Sequence, residues 1–176
     1  VTRRWREYFP SGNVAMGEVA RADDQHTLIL GHIGTLAVNP YIFDKLPYDP
    51  VKDFRPISLL AEVPSLYLVR PDLPVANLRE LIAYAKKNPG KLAFGSSGNG
   101  TTPHLRFEAF KAKAGVDILH VPYRGGADSL TDLLANNVQL MNEPVTIPHV
   151  KAGKLTMFAI NHNERMKDFP DVPTLT

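Results

Sequence analysis

Residues 95–105, GSSGNGTTPHL, gather Gly, Ser, Asn and Thr at the entrance to a strongly helical run, with no lysine or arginine among them. The first amides of a helix have no partner inside it, and that end carries roughly half a positive charge. Backbone amides bared by residues without bulk can hold a carboxylate or phosphate without a side-chain cation. Ser96, Ser97, Gly98, Asn99, Gly100 and Thr101 therefore form a candidate anion cradle. A second reading stays open, in which the stretch is a plain connector and Thr101 or Thr102 caps the helix.

Two further junctions share this character: LILGHIGTLAVNP (28–40) and HVPYRGGADSL (120–130). Asn142 and Glu143 follow the apolar run NVQLM. They are placed to accept a hydrogen bond from a ligand hydroxyl or amine, or they are an ordinary loop pair.

Other chemistries lack their patterns. There is no GxGxxG, no GxxxxGK followed by Ser or Thr, and no GxSxG. Cysteine is absent, which removes disulfides, thiolate catalysis and cysteine zinc sites. The six histidines form no HExxH or HxH pair, so no metal site is expected. His104, in the first turn of a helix, reads as a capping or packing residue rather than a base. A small α/β enzyme using His104 or Glu143 is the catalytic alternative, and no substrate is suggested for it.

The elements that must position these loops are short. HTLILGH (26–32), PISLLAEVPSLYLVRP (56–71), KLAFGS (91–96), DILHVPY (117–123), NVQLMN (137–142) and KLTMFAIN (154–161) read as strands buried on both faces. Helices are expected over 77–88, capped by Asn77 and ended by Pro89-Gly90, and over 103–114, ended by Gly115. Two more are expected over 127–136 and 146–152, the latter ended by Gly153. The alternation indicates an α/β fold with a largely parallel sheet, whose ligands lie beyond the carboxyl ends of the strands. The linking stretch 41–57 holds Tyr48 and Phe54, expected to pack rather than to bind.

With 176 residues, 44% apolar, 22% charged and a net charge of +2, the chain can bury a core and does not read as a nucleic-acid binder. The short cluster Arg3, Arg4 and Arg6 reads as a solvated end. No window reaches the ~20 apolar residues of a membrane span. No secretory leader is read at the abrupt opening VTRRWREYFP, and the ending DVPTLT is equally abrupt. A mature product or a fragment is expected.

LPYDPVKDFRPISLLAEVPSLYLV, PGKLAFGSSGNGTTPHL, VDILHVPYRGGADSLTDLL and PHVKAGKLTMFAI occur in this order. Together they closely resemble the Bug family, the extracytoplasmic solute receptors related to the tripartite tricarboxylate transporters. The resemblance covers about residues 11–176. It implies a two-lobed, periplasmic-binding-protein-like fold of type II that closes on a small mono- or dicarboxylate. It also implies a periplasmic location, membrane transporter subunits as partners and no cofactor.

By position, the resemblance implies ligand contacts from Gly34 and Thr35, with His32 standing where a small hydroxyl residue is usual. It adds Ser96, Ser97, Gly98, Asn99, Gly100 and Thr101 in the second lobe, and Tyr123 with Gly125 in the HVPYRG turn. Asn142 and Glu143 fall in an acidic loop about two residues shorter than the family pattern. The implied lobes are 1–95, incomplete, and 96–160, with 161–176 returning toward the first. Missing first-lobe segments leave another expectation: a non-binding remnant that pairs with a second copy.

Overall fold

A computed structural model describes residues 12–24 and 26–175. Arg3, Arg4 and Arg6 lie outside the described residues. The chain divides into two compact units, one of residues up to 60 with 100–102, the other of 61–99 with 103–176. The expected boundary at 95/96 falls inside a strand of the second unit, because residues 65–96 build the same sheet and core as those that follow. Residues 161–175 also belong there: Ile160 bridges Thr174, and Phe169 and Val172 pack on its core.

The first unit holds helix α1 (Asn13–Ala20), a π-helical turn Gly34–Val38 and the short helix α2 (Asn39–Ile42). Tyr48 is buried and meets Phe54 edge-on at 5.8 Å, so the pair packs as expected. Residues 26–32 are not the strand their composition predicts. Leu28 and Leu30 are 67% and 76% exposed, and the segment carries no ladder among the described residues. Residues 56–63 are irregular for the same reason: an apolar run becomes a strand only where a partner supplies its hydrogen bonds.

The second unit contains β1 (Ser65–Val69), α3 (Leu78–Lys87), β2 (Ala93–Ser96), α4 (Thr102–Ala114), β3 (Leu119–Pro122) and α5 (Gly126–Leu134). It continues with β4 (Leu140–Met141), a 3₁₀ turn Pro144–Thr146, α6 (Ile147–Lys151) and β5 (Thr156–Asn161). The strands form one sheet in the order β3-β2-β4-β1-β5. β2 runs parallel to β3 and β4, whereas β1 is antiparallel to β4 and β5. Four of these strands thus share one direction and β1 alone runs against them, so the sheet is mixed through a single reversed strand.

Both faces are covered. Tyr67, Val69, Phe94 and Phe158 face α3 and α4, meeting Leu81, Ala85 and Phe107. Leu66, Leu68, Met157 and Ile160 face α6 and residues 166–172, while α5 buries Leu133 against Val138, Met141 and Leu155. Phe94 stacks on Phe107 at 3.7 Å with the rings nearly parallel. A register shift in β5 opposite Tyr67 and Leu68 puts Phe158 and its neighbour Ala159 into the same core.

Helix ends follow the predicted signals. The Asn77 side chain accepts from the Glu80 amide at 3.0 Å, and Glu80 reaches back to the Ala76 amide at 2.8 Å. Gly115 and Gly153 take left-handed φ values of 62° and 68° after α4 and α6.

Candidate functional site

The parallel trio β3-β2-β4 brings three carboxyl ends to one sheet edge. Ser97 follows β2, Tyr123 and Gly125 follow β3, and Asn142 and Glu143 follow β4. This is the edge where open α/β sheets hold ligands.

Two of the cradle amides have partners inside the protein. The Ser97 amide donates to Glu143 Oε1 at 2.8 Å, and the Gly98 amide to Ser96 Oγ at 3.2 Å. Glu143 Oε2 lies against Gly126 at the start of α5, where a Cβ would come within 2.6 Å of it. A carboxylate thus already sits on the loop predicted to hold one, and glycine makes the room. Burial pushes the Glu143 carboxyl above its ordinary range, and hydrogen bonds from Ser97 only partly offset this. Among the described residues no lysine, arginine or histidine pairs with it.

Ser96 is fully buried, and its hydroxyl lies 2.6 Å from His120 Nε2. The His120 ring stacks on His104 at 4.0 Å and on Phe94 at 5.7 Å. Burial, then the neighbouring His104, lowers the His120 pKa to about 4, so the ring is neutral at neutral pH. The donor atoms of His104, Glu108 and His120 lie within 4.8 Å of one another. Glu108 is held by Lys111 at 2.8 Å and His120 by Ser96, which makes the group a polar tie under the loop rather than an open cation site. The sequence shows His104 and Glu108 one helical turn apart, but not that His120 joins them. His104 packs, as expected.

Asn142 is 1% exposed and donates from Nδ2 to the Pro103 carbonyl at 3.0 Å, and its Oδ1 is buried without a protein partner. The Tyr123 hydroxyl donates to Asp132 Oδ2 at 2.6 Å, so it is turned to α5. Burial, then that carboxylate, raises its pKa. Asn99 is exposed and Thr101 half-buried.

In the first unit, the Gly34 amide donates to His32 Nδ1 at 3.0 Å. The Thr35 hydroxyl donates to the His32 carbonyl at 3.1 Å, and Thr35 is 2% exposed. His32 therefore closes the entrance of the π-helical turn with its own ring. Gly100 is buried in this unit at a left-handed φ of 74°, close to Ile42 and Asn39. Sequence reading missed the polar core beneath. Asn39 Nδ2 donates to Asn13 Oδ1 at 2.6 Å, and the Tyr48 hydroxyl bonds the Thr35 carbonyl at 2.7 Å. Nothing in the spacing of Asn13, Asn39 and Tyr48 signals that they meet.

No helix among the described residues is long and apolar enough to cross a membrane. The family model of the tripartite tricarboxylate transporter family receptor matches residues 10–176. A UPF0065 protein of Bordetella pertussis is 39% identical over 166 residues, 92% of this chain and 50% of its own length. Rpa4515 of R. palustris, solved with adipate, matches with a TM-score of 0.88 at 37% identity, over 93% of this chain and 56% of that one. MatC (Rpa3494) from Rhodopseudomonas palustris, with bound malate, gives a TM-score of 0.82 at 34% identity over the same shares. The chain spans about half the length of the curated relatives it matches. Its mixed α/β fold is that of periplasmic binding proteins over the part it shares with them. The family is one of receptors rather than enzymes. With the motifs at 95–105 and 120–126 in place and the family model matched along nearly all its length, this chain belongs to the tripartite tricarboxylate transporter family receptors.

Proposed function

We propose that this chain is the part of an extracytoplasmic receptor that captures a small carboxylate for a membrane transporter. One observation carries the reading: a carboxylate, that of Glu143, rests on the Ser97 amide and against the glycine start of α5, and no cation among the described residues pairs with it. That loop wall is therefore chemically competent to hold an acid group. The adipate and malate found with two solved relatives are of the same class. Proposed contacts in the second unit are Ser97, Gly98, Asn99, Asn142 and Glu143, with Ser96 and Tyr123 bracing the loops that carry them. His32, Gly34, Thr35, Gly100 and Thr101 are the candidates in the first.

The test is a thermal-shift and calorimetry panel of mono- and dicarboxylates on this 176-residue chain. A ligand at a hundredfold excess over Kd stabilises by about 2.7 kcal/mol. For a chain of this size that is a rise of roughly 5–10 °C in Tm. No shift with any acid would reject the reading.

A second reading is favoured by the exposed Leu28, Leu30, Leu59 and Leu60. Here the chain pairs with a second copy and holds no ligand. Light scattering with and without acid separates the two.

A further inference from the structure

We propose that Glu143 sets the ligand selectivity of the cradle, disfavouring plain dicarboxylates and favouring acids that carry a hydroxyl donor beside a carboxylate. The inference rests on the carboxylate-capture reading above and deepens it.

The argument is one of charge and unfilled hydrogen-bonding capacity. A carboxylate offers about four acceptor positions. Ser97 fills one of those on Glu143 with its amide. The remaining positions meet no charged donor among the described residues. The Glu143 side chain is half-buried, so its charge is only partly screened by water. Two consequences follow. A second anionic group brought to this wall is repelled by a fixed negative charge. A hydroxyl brought there finds a strong acceptor already oriented by Ser97 and by the space above Gly126.

The geometry also says why Glu143 stays in place without a counter-ion. The Ser97 amide of the β2–α4 loop donates to it, and the absent side chain at Gly126 lets its second oxygen approach the first turn of α5. Glutamine keeps an acceptor oxygen toward Ser97, removes the charge and replaces the second acceptor with an NH2 donor.

The experiment compares matched pairs by calorimetry at pH 7.5: succinate with malate, and glutarate with 2-hydroxyglutarate. The unsubstituted chain is expected to bind each hydroxy acid about tenfold more tightly than its plain partner. In Glu143→Gln both members of each pair are relieved of the same repulsion, so the plain acids bind more tightly, and the ratio falls toward unity because the hydroxyl loses its anionic acceptor. Glu143→Ala, which also lacks the charge, shows the same collapse of the ratio. Because each ratio is measured within one protein, partial loss of folded material leaves it unchanged.

Ratios in Glu143→Gln within threefold of those in the unsubstituted chain would overturn the inference while leaving carboxylate capture standing. Weaker binding of succinate by Glu143→Gln would overturn it equally. No binding of any of the four acids by any of the three proteins would reject carboxylate capture, and this inference with it.

Discussion

The hydroxyl of Ser96, the last residue of β2, lies 2.6 Å from Nε2 of His120 in the paired strand β3, and Ser96 is fully buried. Ser96 also accepts from the Gly98 amide, so the loop beginning at Ser96 is folded over its own side chain and anchored to the neighbouring strand. A loop rich in glycine and serine is flexible by composition, and this tie is what gives it one shape. The pair does not form a nucleophilic dyad, since the hydroxyl is closed to solvent.

Burial, then the neighbouring His104, keeps the His120 imidazole in this tie neutral. The unfolded chain takes up a proton at His120 as pH falls through its ordinary value of 6.5, whereas the folded chain resists until about 4. Between these values the unfolded state binds more protons. Stability is therefore full above pH 6.5 and declines as pH drops through the window. Because His120 is half-exposed, solvent screening leaves about 1 kcal/mol of this effect. We expect Tm to fall by about 2–4 °C between pH 7 and pH 5 from this group, and the fall to shrink in His120→Gln. An unchanged pH slope in His120→Gln would exclude the assignment.

Gly95 lies in β2 directly under α5. A Cβ there would collide with Ser129 Oγ and come within 3.2 Å of Val138. Ser129 and Val138 are both buried, so neither can give way into solvent. Gly95→Ala is expected to cost about 1–3 kcal/mol by overpacking. Gly125→Ala, at an extended position with nothing within 4 Å, is expected to cost under about 1 kcal/mol. Urea unfolding of the two variants gives the comparison, and equal losses would refute the packing argument.

The helices of the second unit were legible because their signals are local. Asn77 with Glu80 starts α3, and Gly115, Asn136 and Gly153 take left-handed φ where their helices stop. Strand identity at 26–32 and 56–63 was not legible, because a strand's hydrogen bonds belong to its partner and no local residue reveals whether one is present. Strand direction failed likewise at β1, whose antiparallel neighbours β4 and β5 lie more than seventy residues away. For the site, glycine and serine marked the loop, but its occupant did not show: Glu143 is 46 residues from Ser97. A shortened acidic loop gave the position of Glu143 without its target.

Arg70 is another long-range contact hidden from the sequence. Its Nη1 donates to the Leu134 carbonyl at 2.6 Å and to that of Leu133 at 3.3 Å, at the open end of α5. Its Nε and Nη2 hold Asp72 at 2.9 Å and 2.8 Å. A guanidinium serves both partners at once through donors that form a rigid planar fork, a geometry an ammonium lacks. Arg70→Met is expected to cost about 1–2 kcal/mol, and Arg70→Lys to recover less than half of that. Full recovery by lysine in urea unfolding would show that charge alone matters.

Leu28, Leu30, Leu59 and Leu60 are each at least 67% exposed, and they lie in two segments without ladder partners among the described residues. Unpaired backbone next to apolar side chains favours association with another chain. On the self-association reading, sedimentation shows a concentration-dependent dimer. Burying one leucine at an interface is worth about 1.5–3 kcal/mol, so replacing Leu30 and Leu60 with lysine should weaken the dimer more than tenfold. The same change removes no contact of the sheet core, to which neither residue belongs, so the far-UV spectrum should stay unchanged. A chain that stays monomeric at every concentration would sink the self-association reading and leave carboxylate capture as the sole function of the surfaces described.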